Sequence, residues 1–209
     1  MPDTTWPLPA RIFRLWTRAT LAGWVLGIPC IVALALVGEL LGIGGSQVLV
    51  GAGMGIGLGL TQSRVARLVT GGALAWFWSC VGGLAVAFSG ADVAKAFGWT
   101  STYSLQFSMI AGGALTGMRQ ALILRARAAG GWAWVLASVA GWTAAALAVA
   151  GADIFSRAQA LRGLPGALIY LALVTSGGLL LGMITAATLA HLLAPAQGTR
   201  VEPGARRQT

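Results

Sequence analysis

The chain has 209 residues, of which 57% are hydrophobic and only 9% charged, with a mean hydropathy of +0.80. No water-soluble core accounts for so much apolar chain, so the composition excludes an ordinary globular domain and assigns much of the solvation to lipid. The formal net charge of +9 then reads as membrane topology and attraction to anionic lipid, and nucleic acid is not an expected partner.

Residues 1–18 come first, with Arg11, Arg14 and Arg18 on one helical face and Ile12, Leu15 and Trp16 on another. Two readings stay open: a short cytoplasmic amphipathic helix in the headgroup region, or a plain extension of the first span. An apolar run of about 20 residues crosses a hydrocarbon core of about 30 Å, and six such runs follow, at 19–37, 44–60, 70–89, 105–124, 132–150 and 164–190. The first is read as a retained transmembrane helix, not a cleaved signal, because its basic flank is long and five further runs follow it. Pro29 falls inside that run and predicts a kink. The second run is short and rich in glycine, and the last is long enough to tilt. From 194 to 209 the apolar period ends and Gly, Pro and Arg take over, which predicts a disordered cytoplasmic tail. The expected fold class is therefore all-α, an integral membrane helical bundle of six transmembrane helices in a domain spanning 19–193.

Orientation follows from the basic residues. With the N-terminus cytoplasmic, that side receives Arg11, Arg14, Arg18, Arg64, Arg67, Arg119, Arg125, Arg127, Arg200, Arg206 and Arg207, and the other keeps Lys95, Arg157 and Arg162. Eleven of the fourteen therefore share a side, while Glu39, Asp92 and Asp153 fall opposite. The positive-inside rule places both termini in the cytoplasm, with the chain expected in the cytoplasmic membrane.

The second, fourth and sixth helices share a pattern in which a glycine is followed three residues later by a polar side chain. The instances are Gly59-Leu60-Thr61-Gln62, Gly117-Met118-Arg119-Gln120 and Gly182-Met183-Ile184-Thr185, and Arg67 and Arg125 close the first two. Gly23-Trp24 matches Gly141-Trp142, with Ala75-Trp76 as a weaker counterpart. This period predicts three tandem parallel helical hairpins, at about 19–69, 70–129 and 130–193. Glycine numbers 31 in the chain, and small residues allow close backbone approach between helices in lipid. Gly59, Gly117 and Gly182 are accordingly the expected helix-packing positions, with the even-numbered helices at the bundle centre. The bulky Trp24, Trp76, Trp78, Trp132, Trp134 and Trp142 are expected in the outer, lipid-facing or interfacial shell.

The stretch Gly117-Met118-Arg119-Gln120-Ala121-Leu122-Ile123-Leu124-Arg125, followed by Gly131-Trp132-Ala133-Trp134-Val135-Leu136-Ala137-Ser138-Val139-Ala140-Gly141-Trp142, resembles bacterial multi-pass membrane proteins with no assigned activity. The first hairpin departs from that pattern at Ser63-Arg64 and the third at Thr185. The resemblance implies membrane location and the hairpin arrangement, and no activity.

Polar groups at membrane depth are the first place to look for function. Gln62, Arg119, Gln120, Thr185 and His191, with Thr61, Thr116 and Thr188, are expected to form a polar ring in the cytoplasmic third of the bundle. In one reading the ring lines a vestibule for an anionic or hydrogen-bonding solute. In the other Arg119 snorkels to the headgroups and the remaining side chains bond neighbouring helices. His191 is the only histidine and has no second ligand beside it, while Cys30 and Cys80 read as small packing residues, so no metal and no cofactor is expected. No GxSG, HExxH or clustered carboxylate occurs, and an enzyme is not expected. The leading expectation is a non-catalytic bundle that packs against other membrane proteins, as an accessory or assembly subunit, or against itself. The alternative is a small-solute transporter or substrate-binding membrane component.

Overall fold

The structure is a computed structural model that describes residues 8–99, 101–125, 130–159 and 163–194. Residues 1–7 and all of the expected tail beyond Ala194 lie outside the described residues. Six helices follow in chain order: α1 Leu8–Leu40, α2 Gln47–Thr70, α3 Ala73–Ala96, α4 Ser104–Leu124, α5 Gly131–Gln159 and α6 Gly163–Leu192. Residues 8–18 run without a break into α1, and Pro29 lies within that helix. Ile12 and Trp16 are buried in the core, so this segment is packed against the bundle instead of lying flat on a headgroup layer.

Five helices, α1, α3, α4, α5 and α6, are long and apolar enough to cross a membrane. The second is not among them, although the sequence counted a span there. Its glycines contribute almost nothing to hydropathy, and Thr61, Gln62, Ser63, Arg64 and Arg67 occupy its second half. Large apolar side chains such as Leu36, Val86, Leu122 and Leu147 stand on the outer surface, where lipid solvates them at no cost.

The termini of α2 are fixed by local chemistry. Ser46 makes no side-chain cap; instead Asp92 reaches from α3 and accepts the backbone N–H groups of Gln47 at 2.7 Å and Val48 at 2.8 Å. Two of the four orphan donors at a helix start are thereby satisfied, with a negative charge at the positive end of the helix dipole. At the other end Gly71 adopts φ 74°, and its N–H returns to the Arg67 carbonyl, which turns the chain directly into α3.

Each helix packs on the next, and α6 returns to pack on α1. The result is a closed ring of helices around one axis. The even-numbered helices do not converge on that axis as expected: α2 and α4 barely touch, and the contacts run between neighbours around the ring. Glycine explains this, because it brings adjacent backbones together sideways. A Cβ on Gly57 would meet the Gly27 Cα at 2.6 Å, one on Gly55 the Val81 Cα at 2.6 Å, and one on Gly117 the Ser138 Cβ at 2.7 Å. Gly23 faces α2, Gly83 faces α4 and Gly141 faces α6. The position corresponding to Gly23-Trp24 and Gly141-Trp142 is thus Gly83-Leu84, not Ala75-Trp76.

The tryptophan expectation is met by Trp78 and Trp132 and overturned for Trp24, Trp76, Trp134 and Trp142. Trp16, Trp24, Trp76, Trp134 and Trp142 are all buried, and only Trp78, Trp99 and Trp132 stand exposed among the described residues. A ring of six helices leaves an axial space that small side chains cannot fill, and indole is the largest apolar filler available.

Candidate functional site

The axis is plugged by three indoles, one from each odd-numbered helix. Trp16 lies 5.3 Å from Trp76 and 5.6 Å from Trp134, and Trp76 lies 5.6 Å from Trp134 between ring centroids, all edge to face. In each pair the positive edge of one ring therefore meets the negative face of the other, the favoured geometry for aromatic pairs.

Each indole N–H also has its own acceptor on an even-numbered helix. Trp76 donates to Gln62 Oε1 at 3.3 Å, Trp134 to Gln120 Oε1 at 3.1 Å, and Trp16 to Thr185 Oγ1 at 3.0 Å. The first two pairs share a separation of 14 residues, while the third joins the two ends of the chain, 169 residues apart. The amides continue the network on their other side. Gln62 Nε2 donates to Thr20 Oγ1 at 2.9 Å, and Gln120 Nε2 donates to Cys80 Sγ at 3.3 Å. The Cys80 thiol in turn faces Gln62 Oε1 at 3.7 Å, and the Thr185 hydroxyl donates to the Leu181 carbonyl at 2.7 Å. All these side chains are buried. Without water, every partner left out would cost several kcal/mol, on the order of 2–7 for an unpaired amide or hydroxyl in an apolar medium.

The ring expected from the sequence is therefore divided. Gln62, Gln120 and Thr185 meet at the axis, each through a tryptophan. Arg119 and His191 are exposed on the outside of α4 and α6, and the Arg119 guanidinium extends beside Gly82 of α3. Thr61 and Thr188 turn back to carbonyls of their own helices, Gly57 and Ile184. Thr116 Oγ1 is buried with no hydrogen-bond partner among the described residues. Gly59 faces Phe77 of α3, Gly117 faces Ser138 of α5, and Gly182 faces Thr17 and Thr20 of α1.

The cavity bounded by Gln62, Gln120, Thr185, Trp16, Trp134 and Ser138 has a volume of about 20 Å³, enough for one water molecule and for no larger solute. Wider spaces open elsewhere. A groove of about 320 Å³ runs between α3 and α4 beside Trp99 and Phe107, and another of about 380 Å³ lies beside Arg11, Leu15 and Leu68. Neither is lined by Gln62, Arg119, Gln120, Thr185 or His191. Among the described residues no three His, Cys, Asp or Glu side chains are grouped to hold a metal ion. The axial site offers amide, indole, thiol and hydroxyl groups, which can exchange hydrogen bonds but supply neither a carboxylate nor an imidazole for proton abstraction.

Sequence reasoning missed the tryptophans and their neighbours Thr20, Cys80 and Ser138. The equal spacing of Gln62 to Trp76 and Gln120 to Trp134 was the available signal.

Comparison of the chain with protein-family models, with curated proteins and with solved structures yields no match.

Proposed function

We propose that this chain is a non-catalytic integral membrane protein of the bacterial cytoplasmic membrane, whose work is to pack: as an accessory or assembly subunit beside other membrane proteins, or against copies of itself. In this reading all six helices span, α2 included, as three tandem hairpins with both termini cytoplasmic. The observation that carries it is the axial knot. Gln62, Gln120 and Thr185, the polar side chains that could have received a solute, are spent on Trp76, Trp134 and Trp16. The space left between them is about 20 Å³, far below the few hundred Å³ of a small-molecule site. The inclusion of α2 is supported by its place in the ring, between α1 and α3, because a helix flanked by partners on both sides does not need hydropathy of its own to remain in lipid.

The test is purification in mild detergent, with the mass of the native particle and the identity of co-purifying proteins determined. The reading predicts a stoichiometric assembly larger than one chain. A single-chain particle that carries a specific solute flux in proteoliposomes would instead establish the transporter.

A further inference from the structure

The three acceptor positions of the knot are not alike, and the difference leaves a gap. Thr20, Cys80 and Ser138 each stand one helical turn after Trp16, Trp76 and Trp134. In two of the three places a glutamine bridges a tryptophan to the residue of this set on the preceding odd-numbered helix: Gln62 joins Trp76 to Thr20, and Gln120 joins Trp134 to Cys80. The third place holds Thr185. It accepts the Trp16 N–H, but it lacks the amide that would reach Ser138. Ser138 is buried, and among the described residues its hydroxyl has no hydrogen-bond partner. Thr116 Oγ1, buried on α4, is without one as well. Thr116, Ser138 and Thr185 all line the axial cavity of about 20 Å³.

We propose that this cavity is a binding site for a single structural water molecule, which takes the place of the amide that a third glutamine would have supplied and links Thr185 to Ser138 and Thr116. The volume exceeds the roughly 10–15 Å³ that one water requires, and three hydroxyls fall within the two to four partners that buried waters have. A neutral molecule that both donates and accepts fits the lining, which contains no carboxylate to offset the desolvation of a cation. The buried Thr116 hydroxyl, without a partner among the described residues, would otherwise oppose folding.

Pulsed radiolytic hydroxyl labelling of the purified chain tests the proposal, because it marks side chains beside bound water even when bulk solvent is excluded. Trp16 and Trp134 line the cavity, whereas Met109 is also buried, does not line it, and is itself readily oxidised. Oxidation of Trp16 and Trp134 several-fold above that of Met109 is expected, falling to the Met109 level in Thr185→Gln, whose amide occupies the water's place. Equal labelling of the three side chains in the unaltered protein overturns the proposal, as does labelling that persists in a folded Thr185→Gln variant. Should that variant not fold, Ser138→Ala decides. A lowered melting temperature is expected when the hydroxyl holds a water, and a raised one, from deletion of an unpartnered buried group, contradicts it.

Discussion

Replacing Gln120 by leucine isolates what the indole–amide pair contributes. The glutamine is buried, accepts the Trp134 N–H at 3.1 Å and donates to Cys80 at 3.3 Å. Leucine nearly preserves the volume, so the main loss is polar, and an orphaned buried donor costs about 1–3 kcal/mol. Inter-helix hydrogen bonds in lipid couple more weakly, about 0.6 kcal/mol on average and up to about 1.7, because the unfolded helices also find partners. The pair is fully enclosed, so the upper half of that range applies, roughly 1–1.7 kcal/mol. Trp134→Phe removes the donor and, with its smaller ring, also weakens two edge-to-face contacts, to Trp16 and Trp76, each of about 0.5–1.5 kcal/mol. That packing loss is common to both arms of a double-mutant cycle and cancels. Reversible unfolding in bicelles supplies the four stabilities, and Gln120→Leu is expected to cost about 1–1.7 kcal/mol less in the Trp134→Phe background than alone. A coupling below about 0.3–0.5 kcal/mol, the scatter of independent sites, would refute the claim that this bond helps hold the ring closed.

Other substitutions test the frame around the knot. Gly117→Leu drives a side chain into Ser138 and is expected to destabilise the bundle by about 1–3 kcal/mol or more through overpacking, whereas Gly90→Leu, which meets no atom within 4 Å, leaves thermal stability nearly unchanged. Asp92→Ala strips two bonds from the start of α2 and is expected to cost about 1–2 kcal/mol in an unfolding measurement. Arg119→Gln, on the exposed face of α4, is expected to stay within about 0.5 kcal/mol of the unaltered chain and to abolish no solute flux in proteoliposomes.

The helices themselves were legible because apolar length is a direct physical requirement of lipid. Their arrangement was less so, for reasons that particular residues make plain. Glycine in α2, α4 and α6 signalled close approach, but not its direction; Gly57 against Gly27 and Gly117 against Ser138 lie at contacts around the ring instead of across its centre. Indole bulk suggested the lipid face, yet the Trp76 and Trp134 N–H groups are held inside by Gln62 and Gln120, acceptors one short spacing away. The pairing of Trp16 with Thr185 lies across almost the whole chain, and only the packing of α6 on α1 brings the two together. Gln62, Gln120 and Thr185 were singled out as polar groups in apolar helices, while Arg119 and His191 shared that feature but have side chains at the outer surface. A sequence gives the depth of a residue along a helix more readily than the face from which it projects.

Solvent exchange of the tryptophan indole N–H protons, followed by NMR in detergent micelles or bicelles, tests the closed axis most directly. The Trp16, Trp76 and Trp134 protons are expected to exchange far more slowly than those of Trp99 and Trp132, which are 77% and 71% exposed. Exchange of the three axial protons as fast as that of Trp132 would mean that water enters the ring freely, and would contradict the sealed bundle.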